Sequence, residues 1–580
     1  MVNPKLQLMV HADNIATSSP QLSYSGVTIE SVQRTDNENY LFINLLLDKD
    51  VKPGIFEIAF KHGEKTISSY TYELKARKPN SAQRQGFSSK DVVYLITPDR
   101  FANGDPSNDS IDGLKEGVNR LSKGGRHGGD LQGIIDNLDY ITDMGFTQIW
   151  TMPIMENDMQ THSYHGYSTT DYYRVDPRYG SNELYVELSE KAAGQGIGII
   201  QDVILNHIGS EHWWMKDKPS ADWINNNGEF SPTSHMRESL HDPHAVKSDI
   251  TRFNDGWFVP TMPDLNQRNP LLATYLIQNS IWWVEYAQLS GLRVDTYSYS
   301  DMRFLSNWTR QIMQEYPNLN VVGEEWSVNP SITSFWQKGS VRHSDYQSWL
   351  PSVMDFPTQV KLINALTKPK SWATGLRELY ESLASDFVYG DPYNLVVFAD
   401  NHDMSRIFSQ LDEDLDLFKM AMSYVLTTRG IPQVFYGTEI LMANPGTEDH
   451  GIIRSDFPGG WQDDSSSGFS GKGLSEQQIQ IQGFFRKLLN WRKSSTAITQ
   501  GKLAHYTPQN GLYVYFRYTQ EQRVMVILNK NDSITDLPLE RYTEMLNGAK
   551  TAKNVLTDQH ISLGQALSIA AKSALILELQ

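Results

Sequence analysis

Eight apolar runs of strand length recur between residues 92 and 439, and longer segments of helical period separate them. The runs cover residues 92–96, 146–154, 198–207, 291–295, 320–325, 352–356, 394–403 and 431–439. Near-continuous apolar strands that alternate with helices are typical of a parallel sheet with helical crossovers. Eight such repeats over about 400 residues predict an α/β fold built on a (β/α)8 TIM barrel.

Both ends of the chain have a different pattern. Short alternating segments predict a β-sandwich over residues 1–77, and the polar stretch 78–90, which contains Pro and Gly, predicts a linker. The barrel is then expected over residues 91–495, with an inserted subdomain at about 208–262 after the third strand. The β-type segments that close the chain predict a second β-sandwich over residues 496–580.

Composition excludes several classes of partner. The 580 residues include 51 Lys and Arg against 68 Asp and Glu, and a net charge of −17 argues against nucleic acid, whose phosphates require clustered Lys and Arg. No apolar run approaches the ~20 residues of a membrane span, so no membrane partner is expected. Cysteine is absent, which excludes disulfides and thiolate chemistry. The compartment stays open, since a cytoplasmic protein and a secreted or periplasmic one with a trimmed signal peptide would read alike.

Ionisable or polar residues end four of the eight predicted strands. They are Asn206 and His207 on the third, Arg293 and Asp295 on the fourth, Glu324 and Glu325 on the fifth, and Asn401, His402 and Asp403 on the seventh. The carboxyl ends of the strands surround the open mouth of a TIM barrel, where its active sites lie. The sequence therefore predicts a functional site at this end.

These side chains favour acid and base chemistry at an acetal, as in glycoside hydrolysis. Such a reaction needs one ionised carboxylate and one protonated carboxyl. Asp295 is the better nucleophile, because Arg293 lies two residues before it on the same strand face and would lower its pKa. Glu324 and Glu325 are adjacent, so only one of them can face the barrel centre, and periodicity does not choose between them.

Several segments resemble a known family. QDVILNH at 201–207, GLRVD at 291–295, GEEW at 323–326 and FADNHD at 398–403 are similar to the four signature regions of the α-amylase family, glycoside hydrolase family 13, and occur in family order. MPDLN at 262–266 resembles a fifth region in the form found in cyclomaltodextrinases, neopullulanases and maltogenic amylases. The N-terminal sandwich also resembles the extra domain of cyclomaltodextrinases.

The resemblance implies a retaining α-1,4-glucan hydrolase that opens cyclodextrins and degrades short maltooligosaccharides. Pullulan cleavage and some transglycosylation would accompany this activity. Alternatives within the family are a neopullulanase, a maltogenic amylase and a cyclodextrin glucanotransferase. A remote alternative is a non-catalytic glycan-binding protein, which would normally lack one of three carboxylates that are all present here.

The resemblance also assigns roles to residues of this chain. The implied catalytic residues are Asp295 as nucleophile, Glu324 as acid/base and Asp403 as third carboxylate; the implied substrate-binding residues are Tyr167, His207, Arg293, His402 and Arg454. After Asp295 the chain reads TYSY, where many relatives carry residues of the acceptor subsites. Acceptor preference therefore stays open.

Hard oxygen donors follow the first predicted strand. They are Asn103, Asp105, Asn108 and Asp109, with Gly128 and Asp130 downstream. Such donors suit Ca²⁺, although Asx and Gly residues also form ordinary turns. The spacing resembles the calcium loop of cyclodextrin-acting relatives, which implies a structural Ca²⁺ without a part in the chemistry. For the N-terminal sandwich, a starch-binding module and the dimerisation arm of a homodimer both remain open.

Overall fold

A small β-sandwich begins the chain in the computed structural model, which describes residues 2–342 and 344–580. Its strands are β1 (Lys5–His11), β2 (Ser19–Leu22), β3 (Val27–Arg34), β4 (Tyr40–Leu47), β5 (Gly54–His62) and β6 (Lys65–Leu74). Two antiparallel sheets, in the orders β1-β4-β3 and β2-β5-β6, face each other. Phe56, Ile58 and Phe60 alternate along β5 and point into the core between the sheets, as the period of two in the sequence predicts.

The centre of the molecule is an eight-stranded parallel sheet, which confirms the predicted barrel. The next ten strands are β7 (Val93–Ile96), β8 (Gln148–Thr151), β9 (Met155–Glu156), β10 (Asp171–Val175), β11 (Gly198–Val203), β12 (Gly291–Val294), β13 (Asn320–Gly323), β14 (Ser352–Val353), β15 (Val396–Phe398) and β16 (Ile431–Phe435). β9 and β10 form a separate hairpin, and the other eight lie in the order β14-β13-β12-β11-β8-β7-β16-β15. A bridge between Met354 and Val396 joins the two edge regions of this sheet.

The barrel strands are shorter than the apolar runs from which they were predicted. The run 198–207 gives a strand that ends at Val203, and the run 394–403 gives one that ends at Phe398. The polar residues at the ends of these runs do not pair with neighbouring strands. They therefore lie in the loops at the mouth of the barrel instead of within its wall.

Helices connect the barrel strands and cover their outer face. The α-helices are α1 (Pro98–Phe101), α2 (Leu131–Asp136), α3 (Leu138–Met144), α4 (Asn182–Gly194), α5 (Lys247–Asn254), α6 (Pro270–Tyr286), α7 (Met302–Glu315), α8 (Pro330–Phe335), α9 (Phe356–Thr367), α10 (Arg377–Ala384), α11 (Ile407–Gln410), α12 (Leu415–Thr427), α13 (His450–Ile453), α14 (Glu476–Ser494), α15 (Thr496–Thr499) and α16 (Thr543–Leu546). Side chains cap the starts of the long ones: Ser181 caps α4, Asn269 caps α6 ahead of a proline, and Ser475 forms a capping box with Gln478 on α14.

The insertion between β11 and α6 contains α5 and several short turns. A bridge between His207 and Asp264 joins its two ends where they leave the barrel. The insertion also contacts the N-terminal sandwich, because the carboxylate of Asp217 lies 2.8 Å from His11 Nε2 and accepts a hydrogen bond from Asn39 Nδ2 at 2.9 Å. The sandwich therefore supports the insertion at one side of the barrel mouth.

A second antiparallel domain closes the chain. Its strands are β17 (Lys502–Gln509), β18 (Leu512–Tyr518), β19 (Arg523–Asn529), β20 (Thr535–Pro538), β21 (Thr551–Asn554), β22 (His560–Ser562), β23 (Ala566–Ile569) and β24 (Ser573–Leu579). Six of them form a sheet in the order β17-β18-β19-β24-β21-β22, and β20 pairs with β23.

Among the residues that the structure describes, no helix combines the length and the apolar composition needed to cross a bilayer.

Candidate active site

Arg293 lies at the centre of the barrel mouth and contacts three carboxyl groups. It stands opposite Asp202 in the ladder between β11 and β12, and its Nη1 lies 2.9 Å from Oδ1 of Asp202. The same Nη1 is 3.0 Å from Oδ1 of Asp295, and Nη2 is 2.7 Å from Oε1 of Glu324. All four side chains are buried. One guanidinium thus holds the predicted nucleophile and the predicted acid/base in fixed positions.

A single positive charge does not balance three carboxylates in a buried site. Burial raises the pKa of Glu324, and Arg293 opposes this rise. Burial likewise raises the pKa of Asp202 to about 7, and it raises the pKa of Asp295 against the pull of Arg293. Burial therefore shifts all three carboxyls toward their protonated forms, which is the direction that an acid catalyst requires.

The structure distinguishes between the two adjacent glutamates. β13 ends at Gly323, and Glu324 turns to Arg293 at the barrel centre. Glu325 points away from this centre into a fully buried position where its Oε1 lies 3.6 Å from Nε of Arg237, a residue of the insertion. Burial raises the pKa of Glu325 to about 7. Glu324 is therefore the glutamate that faces the site.

The residue after Asp295 has an unusual backbone. Thr296 has φ 43° and ψ 48°, the left-handed region that a β-branched side chain rarely adopts, at a cost of about 1–3 kcal/mol. Its N–H donates to Oε2 of Glu324 at 3.0 Å, and its hydroxyl donates to Oδ2 of Asp295 at 3.2 Å. The strained conformation thus places two donors between the two carboxyls.

The third carboxylate has its own cationic partners. Oδ2 of Asp403 lies 3.0 Å from Nε2 of His402, and Oδ1 accepts a hydrogen bond from Nη2 of Arg454 at 2.6 Å. Although burial opposes ionisation, His402 and Arg454 hold the pKa of Asp403 below its usual range. His402 and Arg454 therefore favour the ionised form of Asp403.

Tyr167 joins the two halves of the site. Its hydroxyl lies 3.1 Å from Oδ2 of Asp202 and 2.6 Å from Nε2 of His402, and its ring stacks on His402 with an interplanar angle of 9°. Nε2 of His207 is 3.1 Å from the Tyr167 carbonyl oxygen, and burial lowers the pKa of His207 to about 4. The eight residues predicted as catalytic or substrate-binding therefore belong to one connected network.

Two members of this network were missed in the sequence. Asp202 lies within QDVILNH, inside an apolar strand that pairs with the strand of Arg293. A carboxylate inside an apolar strand was the signal that could have identified it. Nδ1 of His165 accepts a hydrogen bond from the N–H of Tyr167 at 2.9 Å, and burial lowers the pKa of His165 to about 3. Nothing in the spacing of His165 distinguishes it from a turn residue.

The six residues predicted to bind calcium lie together in the loops between β7 and α2. Nδ2 of Asn103 donates to Oδ1 of Asp109 at 2.9 Å, and a Cβ added at Gly128 would lie 2.5 Å from the same oxygen. Asp130 accepts from the N–H groups of Gly104, Asp105 and Gly133 and from Nδ2 of Asn108. Its carboxylate thus ties the loop to the start of α2.

Two oxygens in this loop remain without a donor. Oδ1 of Asn103 and Oδ1 of Asn108 are buried and have no hydrogen-bond partner within the described part of the chain. Burial raises the pKa of Asp109 to about 6, and nearby carboxylates contribute. Within residues 2–342 and 344–580, no three His, Cys, Asp or Glu side chains converge as metal ligands do. Any cation here would therefore need amide and backbone oxygens beside carboxylates.

Three family models together match nearly the whole chain. The alpha amylase catalytic domain matches residues 95–506, the cyclomaltodextrinase N-terminal domain matches residues 1–78, and the cyclo-malto-dextrinase C-terminal domain matches residues 503–578. The first of these alone spans more than half of the chain.

Individual relatives extend this similarity. Neopullulanase 2 of Thermoactinomyces vulgaris is 27% identical over 536 residues, which are 88% of this chain and 78% of the relative. The cyclomaltodextrinase of Thermoanaerobacter pseudethanolicus is 26% identical over 85% of this chain and 78% of its own length. Among solved structures, an alpha-amylase from Geobacillus thermoleovorans complexed with acarbose has a TM-score of 0.69 and 26% identity over 85% of this chain and 98% of that one.

Proposed function

This chain belongs to the α-amylase family of glycoside hydrolases, and we propose that it is a retaining α-1,4-glucan hydrolase that opens cyclodextrins and degrades short maltooligosaccharides. The observation that carries the mechanism is the contact of one buried guanidinium, that of Arg293, with both Asp295 and Glu324. A nucleophile and a proton donor fixed on the same group match the paired carboxyls of retaining glycosidases.

In the first step, a carboxylate oxygen of Asp295 attacks the anomeric carbon. The glycosidic C–O bond breaks, and Glu324 transfers its proton to the leaving oxygen, so that a covalent glycosyl ester forms on Asp295. Burial supports this role of Glu324, because it raises the pKa of the group that must start protonated. Arg293 opposes the rise that burial causes in the pKa of Asp295 and so favours its anionic form.

In the second step, Glu324 acts as a base. It takes a proton from a water molecule, the water oxygen attacks the anomeric carbon, and the ester bond to Asp295 breaks with overall retention. Asp403, ionised through His402 and Arg454, would bind hydroxyls of the sugar at the cleavage site. Tyr167 and His207 would complete the binding site for that ring, with Tyr167 stacking on it.

A sugar hydroxyl can replace water in this second step. Such a substitution would give the transglycosylation expected from the sequence. The residues Thr296–Tyr299 lie beside the nucleophile, and the hydroxyl of Tyr299 accepts a hydrogen bond from Nη2 of Arg237 at 3.3 Å. Through this bond the insertion would influence which acceptor is used.

A structural Ca²⁺ in the loop between β7 and α2 forms part of the proposal. The unpartnered amide oxygens of Asn103 and Asn108 and the carboxylate of Asp109 fit a hard cation. The metal would order this loop and supply no chemistry. Asp105, Gly128 and Asp130 would shape the site, the last by tying the loop to α2.

A homodimer is proposed as well, with the N-terminal sandwich of residues 1–77 as dimerisation arm. Ile67 and Tyr70 are exposed on β6, an edge strand of its second sheet, and support an apolar contact there. Sedimentation analysis would test it, with loss of the dimer expected after removal of these two side chains.

The test is product analysis with initial rates on β-cyclodextrin, pullulan and soluble starch. Wild type, Asp295→Asn and Glu324→Gln are compared, with Asp50→Asn, an exposed aspartate of the N-terminal sandwich, as matched control. We expect ring opening to short maltooligosaccharides, little action on starch, and loss of activity in both site variants but not in the control.

Each other outcome identifies an alternative. Pullulan as the preferred substrate would indicate a neopullulanase or maltogenic amylase, and accumulation of cyclodextrins from starch would indicate a glucanotransferase. Binding of maltooligosaccharide without turnover would indicate a glycan-binding protein. Activity that survives Asp295→Asn would refute the mechanism.

A further inference from the structure

Thr296 contacts both carboxyls to which the proposed mechanism assigns bond making and proton transfer. Arg293 holds only one oxygen of each, Oδ1 of Asp295 and Oε1 of Glu324. The second oxygens, Oδ2 of Asp295 and Oε2 of Glu324, accept hydrogen bonds from the hydroxyl and the N–H of Thr296. Each carboxyl therefore has both oxygens in contact with a partner: one oxygen contacts Arg293, and the other accepts a hydrogen bond from Thr296.

The backbone around Thr296 is fixed by its neighbours. The N–H of Asp295 donates to the carbonyl of Val203, and the N–H of Tyr297 donates to the carbonyl of Glu324 at 2.9 Å. These two bonds hold the residues on either side of Thr296, with Asp295 bonded to β11 and Tyr297 to the loop after β13. Between them Thr296 has its left-handed conformation, and its N–H donates to Glu324. Strain held in this way at a reaction centre is typical of preorganised sites.

We propose that Thr296 is a positioning residue that sets the orientation of the nucleophile Asp295 relative to the acid/base Glu324. The proposal rests on the proposed function. The hydroxyl of Thr296 would fix the carboxylate plane of Asp295, and the N–H would fix that of Glu324. In this role Thr296 acts through these two carboxyls and needs no contact with the substrate.

The hydroxyl also favours the ionised form of Asp295. Burial raises the pKa of Asp295, and the hydrogen bond from Thr296 opposes that rise. The other charged or titratable groups facing Asp295 are Arg293 on its own strand, Asp202 on β11, Glu324 after β13, Asp403 after β15 and Tyr167 after β9. A substitution at Thr296 leaves all of these in place. The effect of the hydroxyl is therefore separable from theirs.

The experiment compares the pH profiles of kcat/KM on β-cyclodextrin for wild type, Thr296→Val, Thr296→Ala and Thr296→Ser. Thr367→Val is the matched control, because Thr367 is an exposed threonine at the end of α9 whose hydroxyl bonds only to its own helix. Circular dichroism verifies that each variant is folded.

Without the hydroxyl, Asp295 is expected to gain its proton at higher pH. The acid limb of the Val and Ala profiles then moves up by about one pH unit, as expected for a lost hydrogen bond to a carboxylate. The plateau falls at least about tenfold, because the nucleophile is less well oriented. The alkaline limb stays in place, since the N–H bond to Glu324 remains. Thr296→Ser restores both acid limb and plateau.

Two results would overturn the proposal. One is a Thr296→Val profile equal to that of wild type, and the other is failure of Thr296→Ser to recover the acid limb. If Asp295→Asn retains activity, the proposed function itself is wrong. If Asp295→Asn is inactive while Thr296→Val is unaffected, only the role of Thr296 is wrong.

Discussion

Arg293 Nη1 lies 2.9 Å from Oδ1 of Asp202, a residue directly opposite in the ladder between β11 and β12. In Asp202→Asn the guanidinium would act on Asp295 and Glu324 alone and would lower the pKa of both. Glu324 would then lose its proton earlier, so the alkaline limb of kcat/KM is expected to move to lower pH. Loss of one partner of a buried ion pair is also expected to cost about 3 kcal/mol of unfolding free energy.

Kinetics across the pH range and urea denaturation would measure the two effects of Asp202→Asn. Asp50→Asn serves as the exposed control. If the alkaline limb stays in place or moves to higher pH, Asp202 does not compete with Asp295 and Glu324 for the guanidinium of Arg293.

Glu325→Gln is expected to change the pH dependence of stability. Burial raises the pKa of the folded-state carboxyl from 4.5 to about 7, so folding disfavours its ionised form. The stability of wild type relative to the variant is then highest below about pH 4.5 and declines until about pH 7, by about 3 kcal/mol. Urea denaturation at pH 5 and pH 8 would measure this. If the difference in unfolding free energy between wild type and Glu325→Gln is the same at both pH values, Glu325 does not ionise as expected.

Asp217→Ala is expected to loosen the N-terminal sandwich from the insertion. Burial opposes ionisation of Asp217, but the hydrogen bonds from His11, Asn37 and Asn39 together outweigh it and lower the pKa of Asp217. Their contribution is therefore present at neutral pH and lost as pH falls below about 4. We expect a loss of about 1–2 kcal/mol at pH 7.

Limited proteolysis at residues 78–90, the predicted linker, would report this loosening, with faster cleavage of the variant at neutral pH. Asp50→Asn, in the same sandwich, should be cleaved like wild type. Equal cleavage of Asp217→Ala and wild type at pH 7 would show that this contact does not hold the domains together.

Chelation is expected to lower the melting temperature of the protein if the loop of Asn103, Asn108 and Asp109 binds Ca²⁺. At a free Ca²⁺ concentration 100 times the Kd, binding adds about 2.7 kcal/mol to the stability. Thermal melts with EDTA, with CaCl2 and with MgCl2 would measure the effect in wild type and in Asp109→Ala. The variant should melt equally in EDTA and in CaCl2. A wild-type melting temperature indifferent to Ca²⁺ would remove the metal from the proposal.

The barrel could be predicted because each of its strands is an apolar run, a property of local sequence. Strand β2 could not be predicted in this way. Ser19–Leu22 is four residues long, half exposed and contains Pro20, and only pairing with β5 makes it a strand. The helical period of residues 130–144 predicts one helix, but the structure has two, because α2 ends and α3 begins at Asn137. The domain limits at residues 77, 90 and 495 stay predictions.

The site, like the fold, could be predicted only in part from local sequence. The strand ends of Asp295, Glu324 and Asp403 follow from local pattern, and the structure brings them to one mouth. The choice of Glu324 over Glu325 depends on contacts with Arg293 and Arg237, which are distant in sequence and carry no periodic signal. The role of Thr296 depends on a backbone dihedral angle that no residue type specifies.

The position of β7 beside β16 has a consequence for synthesis of the chain on the ribosome. β7 spans Val93–Ile96, and one of its two neighbours in the barrel, Ile431–Phe435, emerges more than three hundred residues later. One edge of β7 therefore lacks its partner strand during most of translation. The N-terminal sandwich is complete before β7 is synthesised. It is therefore the part of the nascent chain that can fold before the last barrel strand has been synthesised.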